Sequence, residues 1–182
     1  MTLALKKEHL PHYTYDDYCQ WDGNWELIEG IPYAMSPLPS SKHQRLAGKL
    51  YSQIDAKLQR CQHCEVSLPV DWKISETTVI QPDLFVACFD FKNVKYISQP
   101  PVLVVEILSP STRDKDLIVK RAIYCSQGVK YYVLVDPDND TCQVLQLAGK
   151  DYQEAKTGHK VSFAFQFADD CSVEVDFGKI WE

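Results

Sequence analysis

The run Pro101-Val102-Leu103-Val104-Val105-Glu106-Ile107-Leu108-Ser109-Pro110 constrains this chain more than any other stretch. It is apolar, rich in β-branched residues and bounded by prolines, as expected of a strand buried on both faces. One carboxylate interrupts it. An ionised glutamate is almost never fully buried alone, because desolvating an unpaired charge costs several kcal/mol or more. Glu106 therefore pairs with a basic residue or holds a cation.

The following residues give the strand its frame. Ser111 and Thr112 offer N-caps, and Thr112 to Gln127 reads as a helix ended by Gly128. Tyr131 to Val135 is a second strand buried on both faces, stopped by Asp136-Pro137-Asp138-Asn139-Asp140. Strand, helix and strand joined by short loops make a βαβ crossover with parallel strands.

Upstream, Tyr13 to Trp21 reads as a short helix capped by Thr14, and Trp25 to Met35 as a hairpin about Gly30. Ser41-Lys42-His43-Gln44 fits a capping box, opening a helix whose apolar stripe is Leu46, Leu50, Ile54 and Leu58, widened by Ala47 and Tyr51. Cys64 to Ile74 alternates like a half-exposed strand, with Pro69 marking an edge or bulge. Val79 to Cys88 is an apolar strand carrying a single acid, Asp83, near its start. Cys142 to Leu147, Tyr152 to Lys156, Val161 to Phe167 and Ser172 to Val175 form short antiparallel strands. The class is α/β, and the 182 residues suit a single domain over 1–182.

Composition excludes several functions. No apolar run reaches the roughly 18 residues of a membrane span, and the N-terminus has no secretory apolar segment, so a cytoplasmic location is expected. No Gly-rich phosphate loop occurs. The seven cysteines are an odd number and read as reduced, mostly structural thiols; Cys61-Gln62-His63-Cys64 lacks a second cluster to close a zinc site. A thiol enzyme using Cys64 with His63 or His43 rests only on proximity in sequence. The net charge of -6 opposes non-specific attraction to nucleic acid, unless basic residues such as Arg113, Lys115, Lys120 and Arg121 gather at one mouth.

Spacing supplies Glu106 with partners. Lys120 lies about 12 Å along its helix from Thr112, at roughly 1.5 Å per residue. The same distance back along the strand from Ser109, at roughly 3.3 Å per residue, reaches residue 105 or 106. Lys120 is thus level with Glu106. A snorkelling lysine neutralising a buried glutamate would explain this pair alone. Asp83, on an adjacent strand, adds a second carboxylate, and two acids repel unless a cation sits between them. Mg²⁺ suits such a pair, taking oxygen ligands and keeping several waters, and the chemistry implied is phosphodiester hydrolysis. His43, in the first turn of its helix, reads as an end-of-helix surface histidine rather than a catalytic one.

These residues carry a resemblance. Pro82-Asp83 followed by Glu106-Ile107-Leu108 resembles the PD-(D/E)xK nuclease superfamily. The narrower match is to Uma-type restriction endonucleases, a family long catalogued as a domain of unknown function. It rests on Glu26-Leu27-Ile28-Glu29-Gly30, Met35-Ser36-Pro37, Val105 to Thr112, Lys120 with Tyr124, and Gly128-Val129-Lys130-Tyr131-Tyr132, spanning Tyr13 to Leu147. The resemblance implies a restriction-endonuclease-like mixed central β-sheet flanked by helices, with extra antiparallel strands at the C-terminus. It implies a Mg²⁺- or Mn²⁺-dependent DNA endonuclease and a homodimer. Asp83 and Glu106 match the metal ligands, Lys120 the catalytic lysine and Glu26 the N-terminal acid; a solvent-facing Glu26 at the hairpin edge is the alternative. The pattern expects lysine two residues after the acid, where this chain has Leu108, so the lysine has moved to the following helix. The competing reading is a non-catalytic interaction or nucleic-acid-binding module, with Glu106 and Lys120 as a structural ion pair.

Overall fold

The computed structural model describes residues 11–35, 39–61, 63–168 and 170–182. The N-terminal stretch Met1 to Glu8, and Ser36-Pro37 of the family pattern, lie outside the described residues. In chain order the elements are α1 (Tyr15–Tyr18), β1 (Trp25–Ile28), β2 (Ile31–Ala34), α2 (Ser41–Leu58), β3 (Glu65–Ser67), β4 (Trp72–Ser75), β5 (Thr78–Ile80), β6 (Leu84–Ala87) and β7 (Leu103–Ile107). A π-helical turn (Lys115–Lys120) then leads into α3 (Arg121–Ser126). They are followed by β8 (Tyr131–Asp136), β9 (Thr141–Ala148), β10 (Asp151–Gly158), β11 (Ser162–Ala168), β12 (Cys171–Asp176) and a 3-10 turn (Phe177–Ile180).

The centre is a six-stranded mixed sheet in the order β10-β9-β8-β7-β6-β3. Only β7 and β8 are parallel, joined through α3 as the crossover pattern requires. Alternation sorts the β7 side chains between two cores. Leu103, Val105 and Ile107 face α2 and the β11–β12 hairpin, while Val104 and Leu108 face Tyr124, Trp72 and Tyr132. Glu106 is in phase with the second set. A four-stranded sheet, β2-β1-β5-β4, stands on that side. Glu29 and Gly30 take positive φ (50° and 77°), which closes the β1–β2 hairpin in two residues.

Prolines cut two expected strands. Cys64 to Ile74 divides at Pro69 into β3 and β4, which belong to different sheets. Val79 to Cys88 divides at Gln81-Pro82-Asp83 into β5 and β6, again in different sheets. A proline has no N–H for a ladder, so the chain can leave one sheet and enter the next there. The α2 cap also differs: Ser40, not Ser41, accepts from the His43 N–H at 3.2 Å.

The cysteine expectation is corrected. Antiparallel pairing sets Glu65 against Ala87, so Cys64 meets Cys88 directly across the strands, and the two form a disulfide. Cys61, just past α2, is bonded to Cys171 at the start of β12. Neither pairing follows from local spacing; both follow from which strands become neighbours. Cys19, Cys125 and Cys142 remain free thiols.

Candidate active site

The strand break at Pro82 creates the site. The Gln81 N–H has no ladder partner and donates to Glu26 Oε1 at 2.9 Å; the Gln81 carbonyl accepts from Lys120 Nζ at 3.1 Å. β6 and β7 pair Leu84 with Val105, so Asp83 stands level with Glu106. One Asp83 oxygen, Oδ2, takes the place of the missing strand carbonyl and accepts from the Ile107 N–H at 2.7 Å. His43 Nε2, from the first turn of α2, lies 3.0 Å from the same oxygen.

Lys120 is the hub. Its side chain is 2 % exposed, and Nζ lies 2.8 Å from Glu26 Oε1 and 2.9 Å from Glu106 Oε1. The rise argument from the sequence thus gives the observed neighbourhood. The π-helical turn adds a second lysine. Residues five apart diverge on an α-helix, but the i→i+5 bonding of a π turn brings them close. Lys115 and Lys120 consequently both reach Glu26, Lys115 Nζ at 2.5 Å from Oε2. The Arg121 N–H closes the π turn on the Asp116 carbonyl, which also accepts from the Tyr132 hydroxyl at 2.9 Å. The Tyr124 hydroxyl donates to Glu106 Oε1, while its ring stacks on Trp72 at 5.9 Å.

Four carboxylates, Glu26, Asp83, Glu106 and Asp116, thus gather around the ammonium groups of Lys115 and Lys120. Electrostatics separates them. Burial opposes the Glu26 charge, but Lys120 and Lys115 outweigh it and hold the carboxyl below its usual range. For Glu106 burial dominates, and with the charges of Asp116, Asp83 and Glu26 it pushes the carboxyl well up despite Lys120. Burial also raises Asp116, against Lys120 and the Thr112 hydroxyl. Lys120 keeps its proton: burial works against the charge, and the surrounding carboxylates override it.

Asp83, Glu106, Asp116, Lys115, Lys120 and His43 line a cleft of about 690 Å³ between α2, the β1–β2 hairpin and the π turn. Glu26 is fully buried behind it, with both oxygens engaged. The solvent-facing alternative for Glu26 is therefore excluded, and its visible task is to hold the two lysines. The expected basic mouth is also revised. Arg121 points away to Asp151 at 2.8 Å, Arg113 is bound to Asp136 at 2.8 Å, and Lys120 lies in the floor; Lys115 remains, joined by Lys42 on the rim. Asp116 was not singled out from sequence as a site residue, although Asp116, Lys120 and Tyr124 recur every fourth residue.

The fit of a divalent cation can be judged from the donors. Among the described residues no three of His, Cys, Asp and Glu converge closely enough to enclose a metal. Mg²⁺ does not need that, since it typically uses one or two carboxylates and keeps several waters. Asp83 Oδ1 and Glu106 Oε2 enter no hydrogen bond among the described residues, whereas the other oxygen of each is anchored. The donor set fits Mg²⁺ held by Asp83 and Glu106.

The family model Uma2, described as "Putative restriction endonuclease", matches residues 13–175. The chain belongs to this family. The match takes in every residue of the cleft cluster and runs beyond Leu147 through the C-terminal strands of this Uma2 chain. Its fold is shared by the crystal structure titled a putative nuclease belonging to DUF820 from Anabaena variabilis ATCC 29413. The TM-score is 0.75 at 18 % identity, over 92 % of this chain and 97 % of that one. The restriction-endonuclease-like fold is thereby established, with its mixed sheet, flanking helices and added antiparallel strands. Comparison with curated protein sequences finds no match. No described helix is long and apolar enough to cross a membrane.

Proposed function

We propose that this Uma2-family chain is a Mg²⁺- or Mn²⁺-dependent endonuclease that hydrolyses DNA phosphodiester bonds. The observation that carries the reading is the pair of uncommitted oxygens of Asp83 and Glu106, level across two strands in the floor of the cleft. A bound divalent ion would polarise a phosphoryl oxygen and lower the pKa of a water.

The chain's own groups do the rest. The Ile107 N–H and His43 fix one Asp83 oxygen, so the other would be available to hold the ion. Lys120 and Tyr124 do the same for Glu106. An ammonium has three N–H donors, and Lys120 spends them on Glu26, Glu106 and the Gln81 carbonyl. It therefore acts as a fixed positive charge beside the developing phosphorane charge, not as a proton carrier. Lys115, 12 % exposed on the cleft wall, is placed to meet a phosphate oxygen. Cutting both strands of a duplex calls for one cleft per strand, so the reading includes a homodimer, measurable by light scattering.

The test is cleavage of plasmid DNA with Mg²⁺ or Mn²⁺ by the wild type, Asp83→Asn and Glu106→Gln. Cutting that requires the ion and falls by at least about 10²-fold in each variant is expected, in line with loss of a preorganised charge. Full cutting by Glu106→Gln would refute it. The complete engagement of Lys120 favours the second reading, a non-catalytic module with a structural ion pair. That reading requires calorimetry to show no saturable Mg²⁺ binding.

A further inference from the structure

One wall of the cleft is aromatic and apolar. Tyr33 pairs with Glu26 across the β1–β2 hairpin, and residues directly opposite on paired strands share a face, so its ring stands on the Glu26 side of the hairpin and lines the cleft. Met35, two residues on, and Pro69, from the β3–β4 connection, extend this wall, and Leu68 beside Pro69 is 46 % exposed. The aromatic residues before Tyr33 pack ring on ring: Tyr13 and Tyr18 on Trp21, Trp21 on Trp25, Tyr15 on Tyr96. Tyr33 is different. It is partly exposed, meets no other aromatic ring among the described residues, and its hydroxyl enters no hydrogen bond there. Lys115 Nζ lies 5.7 Å from its ring centroid and 3.4 Å from Met35 Sδ.

An aromatic ring lining a cleft beside a lysine suits a ligand that carries a flat ring next to an anionic group. We infer that Tyr33 is a stacking platform for one unpaired base of the DNA strand, with Lys115 meeting the neighbouring phosphate, so that the cleft takes single-stranded DNA in preference to duplex. This rests on the DNA reading proposed above, though not on its metal. A base inside a duplex presents only its edges in the grooves, because its faces are covered by the stack. The Tyr33 ring can therefore serve only a base that has left the stack. Charge points the same way. Duplex affinity draws on many phosphate contacts, whereas in a chain of net charge -6 the cleft offers Lys115 and Lys42. Stacking adds affinity without further cations, and a duplex gains it only by extruding a nucleotide, at the cost of unpairing and unstacking it.

The test is anisotropy of a labelled oligonucleotide of about 12 nucleotides, single-stranded and as a duplex, in EDTA and in Ca²⁺, with a fluorescent purine analogue in the strand to report stacking by its quenching. The single strand is expected to bind at least about 10-fold more tightly than the duplex, the cost of extrusion. Tyr33→Leu should lose the quenching and about 5- to 150-fold in single-strand affinity, the usual loss when a stacking ring is removed. The slope of log affinity against log salt should not change, since no cation has gone. Tyr33→Phe and Tyr33→Trp, which keep a ring, should retain both affinity and quenching. A photocrosslink from an iodouracil-containing strand to the wild type, which depends on the folding of no variant, should map to Tyr33. Tyr33→Leu binding as tightly as the wild type with quenching intact, a duplex binding as tightly as the single strand, or crosslinks that map away from the β1–β2 hairpin would each overturn the inference. Cleavage decides the nuclease reading separately: stacking on Tyr33 without ion-dependent cutting would remove that reading and leave this one, whereas ion-dependent cutting with Tyr33→Leu at wild-type affinity would do the reverse.

Discussion

Replacing Lys120 with methionine separates the charge of the hub from its volume. Nζ sits 2.8 Å from one glutamate oxygen and 2.9 Å from another. At an effective dielectric constant of about 20 each contact is worth about 6 kcal/mol of gross attraction. Desolvation of the lysine offsets much of that, and breaking a buried pair costs about 3–5 kcal/mol net. In a chain of this size that lowers the melting temperature by roughly 6–20 °C. The deficit depends on pH. Without Lys120, the Glu106 carboxyl, already held well above the ordinary value of 4.5 by burial, rises further, and Glu26 loses one of the two lysines that hold it down against burial. The native form then binds more protons than the unfolded chain, so stability is retained at low pH and lost as pH rises. Melting followed by circular dichroism in EDTA should show a small deficit near about pH 5 and a large one near about pH 8. Adding Glu106→Leu to Lys120→Met should recover most of the loss, since the uncompensated charge leaves with its partner. A single variant that melts like the wild type at the higher pH, or whose deficit grows on acidification, would refute the hub.

Three further outcomes follow from the same geometry. Tyr124→Phe keeps the ring packing on Trp72 and Tyr132 but removes the donor to Glu106; melting should report a loss of about 1–3 kcal/mol, and single-turnover cleavage should slow with little change in DNA affinity. The hydrogen bond from Arg113 holds the Asp136 carboxyl at about 2, below its ordinary 3.8, with Asn139 and the Asp138 N–H assisting. Its contribution is present above the unfolded value and lost as pH falls toward the folded one, so Arg113→Ala should unfold at a higher pH in an acid titration. Lys42 stands on the cleft rim, and Lys42→Ala should reduce the slope of log affinity against log salt by about 1, read by anisotropy of a labelled duplex.

Much of the fold was legible because backbone periodicity is local. The run from Leu103 to Ile107, the stripe from Leu46 to Leu58 and the paired strands after Asp140 all lie where alternation and helical spacing put them. The level placement of Lys120 and Glu106 was legible as well, since both elements diverge from one short connection and their rises are known. The disulfides were not. Cys64 and Cys88 are joined by the register of β3 on β6, and no pattern within either strand encodes that register.

By itself, the sequence determined that one acid would be buried in a central strand and that a helical lysine would reach it. Only the tertiary structure decided how the other charges divide. It broke the strand at Pro82, leaving the Gln81 amide and carbonyl to be satisfied by Glu26 and Lys120. It wound Lys115 to Lys120 as a π turn, so that two lysines converge on Glu26 and Asp116 is left at the cleft. Strand and helix follow from neighbouring residues, whereas the balance of charge in one cavity depends on groups far apart in the chain that meet only once the sheets are assembled.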